Sequence, residues 1–182
     1  MKKESSAAYI ARLAITLLLI TAVVAAGLAC VNAVTAPEIE ALNAQKTQTA
    51  IEAVLPGGGE EIAFTDDSGI VSTIYKGQSG YAVEVTPAGF NGTVTMMVGV
   101  DNSGKVLGIS IVNHTETAGL GAEAASQGAA GTAFRSQFAG LSGNVSVTKD
   151  GGQVDALTGA TITSRAVCTG VNAALNAVAK LG

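Results

Sequence analysis

The chain has 182 residues and a formal net charge of −4, with 10 basic against 14 acidic side chains. That length suits one globular domain plus an anchor, and the acidic balance, sparse aromatics and absent Trp exclude nucleic acid as a partner, which needs clustered Lys and Arg or stacking platforms. One histidine (His114) and two cysteines (Cys30 and Cys168) exclude a zinc site by ligand spacing, haem attachment and an iron–sulfur cluster, so any redox chemistry needs an imported organic cofactor.

The amino end carries Lys2 and Lys3, and an apolar run from Tyr9 to Val34 follows, interrupted only by Arg12. From Leu13 to Val34 the helical rise gives roughly 33 Å, the thickness of a bilayer's hydrocarbon core. Positive charge on the N-terminal side predicts a cytoplasmic amino end and an exported remainder, a single pass through the cell (inner) membrane. A cleaved signal peptide has a shorter apolar region. A lipoprotein site at Cys30 would want Leu three residues earlier, where Gly27 stands. A buried core helix would show a polar stripe, and this run has none.

The next segment predicts a helical stalk, with Thr35 as N-cap and Pro37 in the first turn. Pro56 and Gly57 to Gly59 end it. The expected division is therefore 1–34 for the cytoplasmic end and anchor, 35–59 for the stalk and 60–182 for an extracytoplasmic domain. From about Ile62 the pattern changes to short β-rich stretches separated by Gly, Asn and Ser: "IVSTIYKG", "GYAVEVTPAG", "GTVTMMVGVD" and "KVLGISIVN". Asp101 to Lys105 reads as a hairpin turn, so "GYAVEV" through "GISIVN" predicts an antiparallel meander. Helical pattern appears around Ala133 to Phe138. "VSVTK" predicts another short strand, and Ser164 to Lys180 predicts a helix with Val167, Val171, Ala174, Leu175 and Val178 on one side. The fold class is α+β: an antiparallel sheet with packed helices, behind one transmembrane helix and a stalk.

"DALTGATITS", residues 155 to 164, concentrates hydroxyls at a helix start. A plain N-cap needs one, and Thr158, Thr161, Thr163 and Ser164 all qualify. Capping alone accounts for such a start, and Asp155 equally suits a turn. His114 by itself reads as a satisfied polar residue. Glu116 reads equally as an exposed acid or as a group beside a ligand. Cys168 on an apolar helix reads as a small buried hydrophobe, and Cys30 as inert.

Residues from about Gly80 to the C-terminus resemble the FMN-binding domain family, which includes the G subunit of the Rnf complex and the C subunit of the Na⁺-pumping NADH:quinone reductase. Two motifs carry the resemblance. Asp155, Thr158, Gly159, Ala160 and Thr161 fill the family's flavinylation pattern. Glu116, Thr117, Ala118, Gly119, Leu120 and Gly121 fill its second motif, with Ala118 where proline is customary. The resemblance implies FMN held covalently by a phosphoester on Thr161, placed there by a flavin transferase that uses FAD. It implies a ring oriented by Glu116, Thr117, Gly119 and Leu120, with Thr163 or Ser164 left to cap the helix.

A phosphodiester just before a helix faces free N–H groups and the positive end of the dipole. No acid–base pair suggests conversion of a small molecule, so the expectation is electron relay to other membrane subunits. By resemblance the complex is an Rnf-type ferredoxin:NAD oxidoreductase that exports Na⁺ or H⁺, with the quinone-reductase component as the alternative. A reading of another class is an anchored non-redox protein, such as a minor pilin or a solute-binding lipoprotein. "YIARLAIT" lacks the pilin processing signature.

Overall fold

A computed structural model describes residues 6–66 and 68–181. Lys2 and Lys3, on which the orientation argument partly rests, lie outside the described residues. The chain forms two compact units, 1–44 and 45–182.

The first unit is helical, and its helix, α1 (Ser6–Val54), continues into the second unit. The segment is long and apolar enough to cross a membrane, and no residue of its most apolar stretch is buried. Large apolar side chains from Tyr9 to Val34 are all exposed, the pattern that a candidate membrane span presents. The hydroxyls inside the run satisfy themselves. Thr16 donates to the Arg12 carbonyl at 2.8 Å and Thr21 to that of Leu17 at 3.0 Å.

Thr35 does not start a new helix. It lies mid-helix and donates to the Val31 carbonyl at 3.0 Å, and Pro37 sits inside the same helix. The backbone bonds on either side carry the helix past a proline that removes only one of them. As expected, the helix stops at Pro56 and the glycines after it.

The second unit is built on a five-stranded antiparallel meander, ordered β1-β2-β3-β4-β5. The strands are β1 (Glu60–Ile62), β2 (Val71–Lys76), β3 (Gly80–Val85), β4 (Val94–Asp101) and β5 (Val106–His114). Asp101 makes the β4–β5 turn by accepting from the N–H groups of Ser103 (2.8 Å) and Lys105 (2.9 Å). Period-two alternation then sorts the side chains. Val83, Val85, Met96, Val98 and Val100 join the larger core with α3 (Thr161–Leu181). Ala82 and Met97 face the other way, onto Ala50, Ile51, Val54 and Leu55 at the end of α1. β4 is therefore buried on both faces.

The apolar stripe of α3 (Val167, Val171, Ala174, Leu175 and Val178) is buried as the spacing predicts. Each large side chain so buried contributes roughly 1.5–3 kcal/mol. Cys168 is buried with them, which pushes its thiol up to about 11 and leaves it unreactive. The short helix α2 (Ala129–Ser136) buries Phe134, against which Phe138, just past the helix, packs edge to face at 5.4 Å.

Two local expectations are corrected. "VSVTK" is not a strand: Thr148–Asp150 is a 3₁₀ turn, and only Val147 makes a single bridge, to Val154. Val145 satisfies its backbone through the Asn172 side chain, which accepts its N–H and donates to its carbonyl, both at 2.8 Å. A side chain has taken the place of a neighbouring strand. Helix α3 also starts three residues earlier than expected, at Thr161.

Candidate functional site

The two motif segments meet at the N-terminal end of α3. Gly159 adopts φ +73°, a left-handed turn that favours glycine. The Ala160 N–H closes that turn on the Leu157 carbonyl at 3.0 Å. The first bond of α3 runs from the Ser164 N–H to the Ala160 carbonyl at 3.0 Å. The N–H groups of Thr161, Ile162 and Thr163 precede it and have no partner within the helix.

The four hydroxyls have different surroundings. Ser164 is buried; its Oγ accepts the Leu157 N–H at 3.0 Å and donates to the Ala160 carbonyl at 2.9 Å, which locks the turn. Buried Thr163 donates to the Glu116 carboxylate. Neither caps α3, contrary to expectation, because both hydroxyls are spent on other partners. Thr158 is exposed on the turn. Thr161 is half-buried, and its Oγ1 accepts from the Lys149 ammonium at 3.2 Å.

Glu116 is 8% exposed and ties three segments together. Its Oε1 accepts the N–H groups of Phe90 (2.9 Å) and Asn91 (3.0 Å) at the tip of the β3–β4 hairpin, and its Oε2 accepts from Thr163. Burial alone would push the carboxyl up. The hydrogen bonds from Thr163, Asn91 and Phe90, with His114 nearby, more than offset it and hold the group below its ordinary value. The expectation of a satisfied His114 fails at one atom, since Nδ1 is buried without a hydrogen-bond partner. Gly121 lies against the same pair. A Cβ there would come within 2.5 Å of both Glu116 Oε2 and Thr163 Oγ1.

Thr117, Gly119 and Leu120 form the exposed part of the loop. Leu120 reaches across to the other motif, where a Cβ on Gly159 would stand 2.9 Å from its Cδ2. On one side of this contact is a cleft of about 160 Å³, lined among others by Phe90, Glu116, Thr117, Leu120, Gly159 and Ile162. On the other is a groove of about 310 Å³ that includes Leu120, Phe134, Gln137, Asp155 and Thr158. Asp155 is held through its backbone: Gln137 accepts its N–H at 2.7 Å and donates to its carbonyl at 3.2 Å.

Phe90 (67% exposed), Ile162 (49%) and Leu120 (44%) make an apolar rim on the cleft. Sequence reasoning did not select Phe90, Ile162, Thr163's tie to Glu116, or Lys149. An aromatic within the Gly-rich turn "AGFNG" was a usable signal for Phe90; Lys149 had none. Free N–H groups and an ammonium at Thr161, beside a rim of exposed apolar side chains, match the two ends of a flavin mononucleotide: an anionic phosphate and a flat apolar ring system. Among the described residues no group of His, Cys, Asp and Glu could hold a metal ion.

Comparison with known proteins places the chain among its relatives. Residues 89–176 match the FMN-binding domain family. The chain is 32% identical over 182 aligned residues to the G subunit of an ion-translocating oxidoreductase complex from Methanosarcina acetivorans, covering 93% of this chain and 94% of that one. It is 35% identical over 187 aligned residues to the G subunit of the Na⁺-translocating ferredoxin:NAD⁺ oxidoreductase complex of Acetobacterium woodii, covering 88% and 87%. A shorter match, 40% identical over 102 residues and covering 54% of this chain and 52% of its relative, is to the G subunit of a proton-translocating ferredoxin:NAD⁺ oxidoreductase complex from Clostridium ljungdahlii. The non-redox reading is thereby set aside. The chain belongs to the FMN-binding G-subunit family of Rnf-type ion-translocating oxidoreductase complexes, as a membrane-associated electron-transfer component.

Proposed function

We propose that this chain carries FMN covalently on Thr161 and relays electrons between membrane subunits of an Rnf-type ferredoxin:NAD oxidoreductase. The observation that carries the reading is the setting of Thr161. It is the one hydroxyl of the motif that sits at the head of α3, beside free N–H groups and an ammonium, with no tertiary acceptor of its own. Thr163 and Ser164 are committed elsewhere.

In attachment, Thr161 Oγ1 bonds to the flavin-side phosphorus of FAD. The pyrophosphate bond breaks, AMP leaves, and the hydroxyl proton passes to the flavin transferase. Bound FMN supplies one- and two-electron redox chemistry. The chain's residues hold and shield it. The free N–H groups of α3 would hold the phosphodiester charge, Thr158 and Gly159 shape the turn, and Leu120, Phe90 and Ile162 would offer apolar cover to the ring. Glu116 acts through the frame, fixing the hairpin tip and the loop against α3. The same reading divides the chain into an anchor at 1–34, a stalk at 35–59 and an extracytoplasmic domain at 60–182, with the amino end in the cytoplasm.

The test is co-expression of the full chain with its flavin transferase, followed by denaturing-gel flavin fluorescence and peptide mapping. Thr161→Val keeps the side chain's shape, removes the nucleophile and loses the fluorescence while the protein folds. A flavin mapped to any other residue, or retained in Thr161→Val, overturns the assignment.

A further inference from the structure

We propose that Lys149 is the charge partner of the phosphoryl group at Thr161 and sets how fast the flavin is attached. The inference rests on Thr161 being the attachment residue and adds a second, distant residue to that site.

Lys149 is held on a rigid frame. Its 3₁₀ turn, Thr148–Asp150, is pinned by the Thr148 N–H on the Val154 carbonyl and the Asp150 N–H on the Val147 carbonyl, both at 2.8 Å. Val147 and Val154 are fully buried. From this turn the Lys149 ammonium donates to Thr161 Oγ1 at 3.2 Å. The neighbouring acid feels its charge but bonds chiefly to another partner. Asp150 is gripped by the Arg165 fork at 2.6 and 2.7 Å, one helical turn beyond Thr161. That pair is the only salt bridge among the described residues; Lys149 adds a weaker pull on Asp150 and makes its hydrogen bond to the Thr161 hydroxyl instead.

A neutral hydroxyl uses one of the three donors of an ammonium and none of its charge. The geometry acquires a purpose once a phosphoryl group is joined to that oxygen. The phosphodiester has one negative charge, and charge on the phosphoryl oxygens also grows while the Oγ1–P bond forms and the pyrophosphate bond breaks. A cation already in place stabilises both without reorganising. Arg165 cannot replace it while its fork is closed on Asp150.

The experiment uses the full chain, purified without flavin, with flavin transferase and FAD. Attachment is followed by intact mass, and wild-type protein is peptide-mapped first. Lys149→Met should lower the initial rate at least tenfold with an unchanged melting midpoint, Lys149→Glu should lower it further, and Lys149→Arg should stay within about threefold of wild type. In protein driven to full attachment, the phosphorus-31 resonance of the threonyl phosphodiester should move in Lys149→Met and not in Lys149→Arg. That second readout separates contact with the phosphate from contact with the transferase. Wild-type rate and an unmoved resonance in Lys149→Met overturn the role of Lys149 while Thr161 stands. A slowed rate with an unmoved resonance, or no rescue by Arg, also overturns it. Flavin mapped away from Thr161 overturns both readings.

Discussion

Thr163→Val removes one hydrogen bond from a buried carboxylate and changes little else, because valine fills the same space. Thr163 is 2% exposed and Glu116 8%, so water cannot replace the lost donor. A hydrogen bond to a charged group is worth about 1.5–3 kcal/mol, and the carboxylate keeps its two backbone donors, from Phe90 and Asn91. The expected loss is about 2 kcal/mol, or roughly 8 °C in melting midpoint for a domain of this size.

The pH dependence has a definite sign. The folded Glu116 carboxyl lies below its ordinary 4.5, so its stabilisation is complete above that pH and is lost as pH falls through the folded value. The deficit of Thr163→Val is therefore largest at neutral pH and shrinks in acid. Calorimetry of the detergent-solubilised full chain at pH 7 and at pH 4 measures both, and flavin fluorescence on a denaturing gel should persist. A midpoint within about 1–2 °C of wild type at pH 7, well short of the expected shift, or a deficit that grows in acid, refutes the role given to this hydrogen bond.

Two further predictions concern the loop and the topology. Leu120→Ala should shift the flavin absorbance or midpoint potential with attachment intact, because Leu120 stands between the cleft and the groove and packs on Gly159; identical spectra and potential would remove the loop from the flavin's surroundings. A reporter fused after Gly182 should be active only when exported, since Lys2, Lys3 and Arg12 all precede the uninterrupted apolar stretch from Leu13 to Val34; activity confined to the cytoplasm would reverse the orientation.

The long apolar helix, the meander and the two motif segments were legible in the sequence because each is a local signal. An apolar run of membrane length, a period of two between turn residues, and a fixed spacing of Asp155, Thr158, Gly159, Ala160 and Thr161 are all read from neighbours in the chain. Local signals also misled. Thr35 and Pro37 look like a helix start, yet the helix runs unbroken through them. "VSVTK" alternates like a strand, and its two inward valines are buried, but Asn172 from α3 takes both backbone groups of Val145 and the pairing that remains, with Gln153 and Val154, shrinks to one bridge.

The division of labour among the hydroxyls was decided only in three dimensions. Thr163 is spoken for because Glu116, 47 residues away, is folded against it, and Glu116 in turn holds a hairpin tip 26 residues before it. Ser164 is turned back onto its own turn, and Lys149 reaches Thr161 across a bend of 12 residues. A hydroxyl's role depends on which donors and acceptors the packed chain brings within about 3 Å of it, the reach of a hydrogen bond. The sequence names the four candidates; packing leaves Thr161 at the head of the helix with a cation for company.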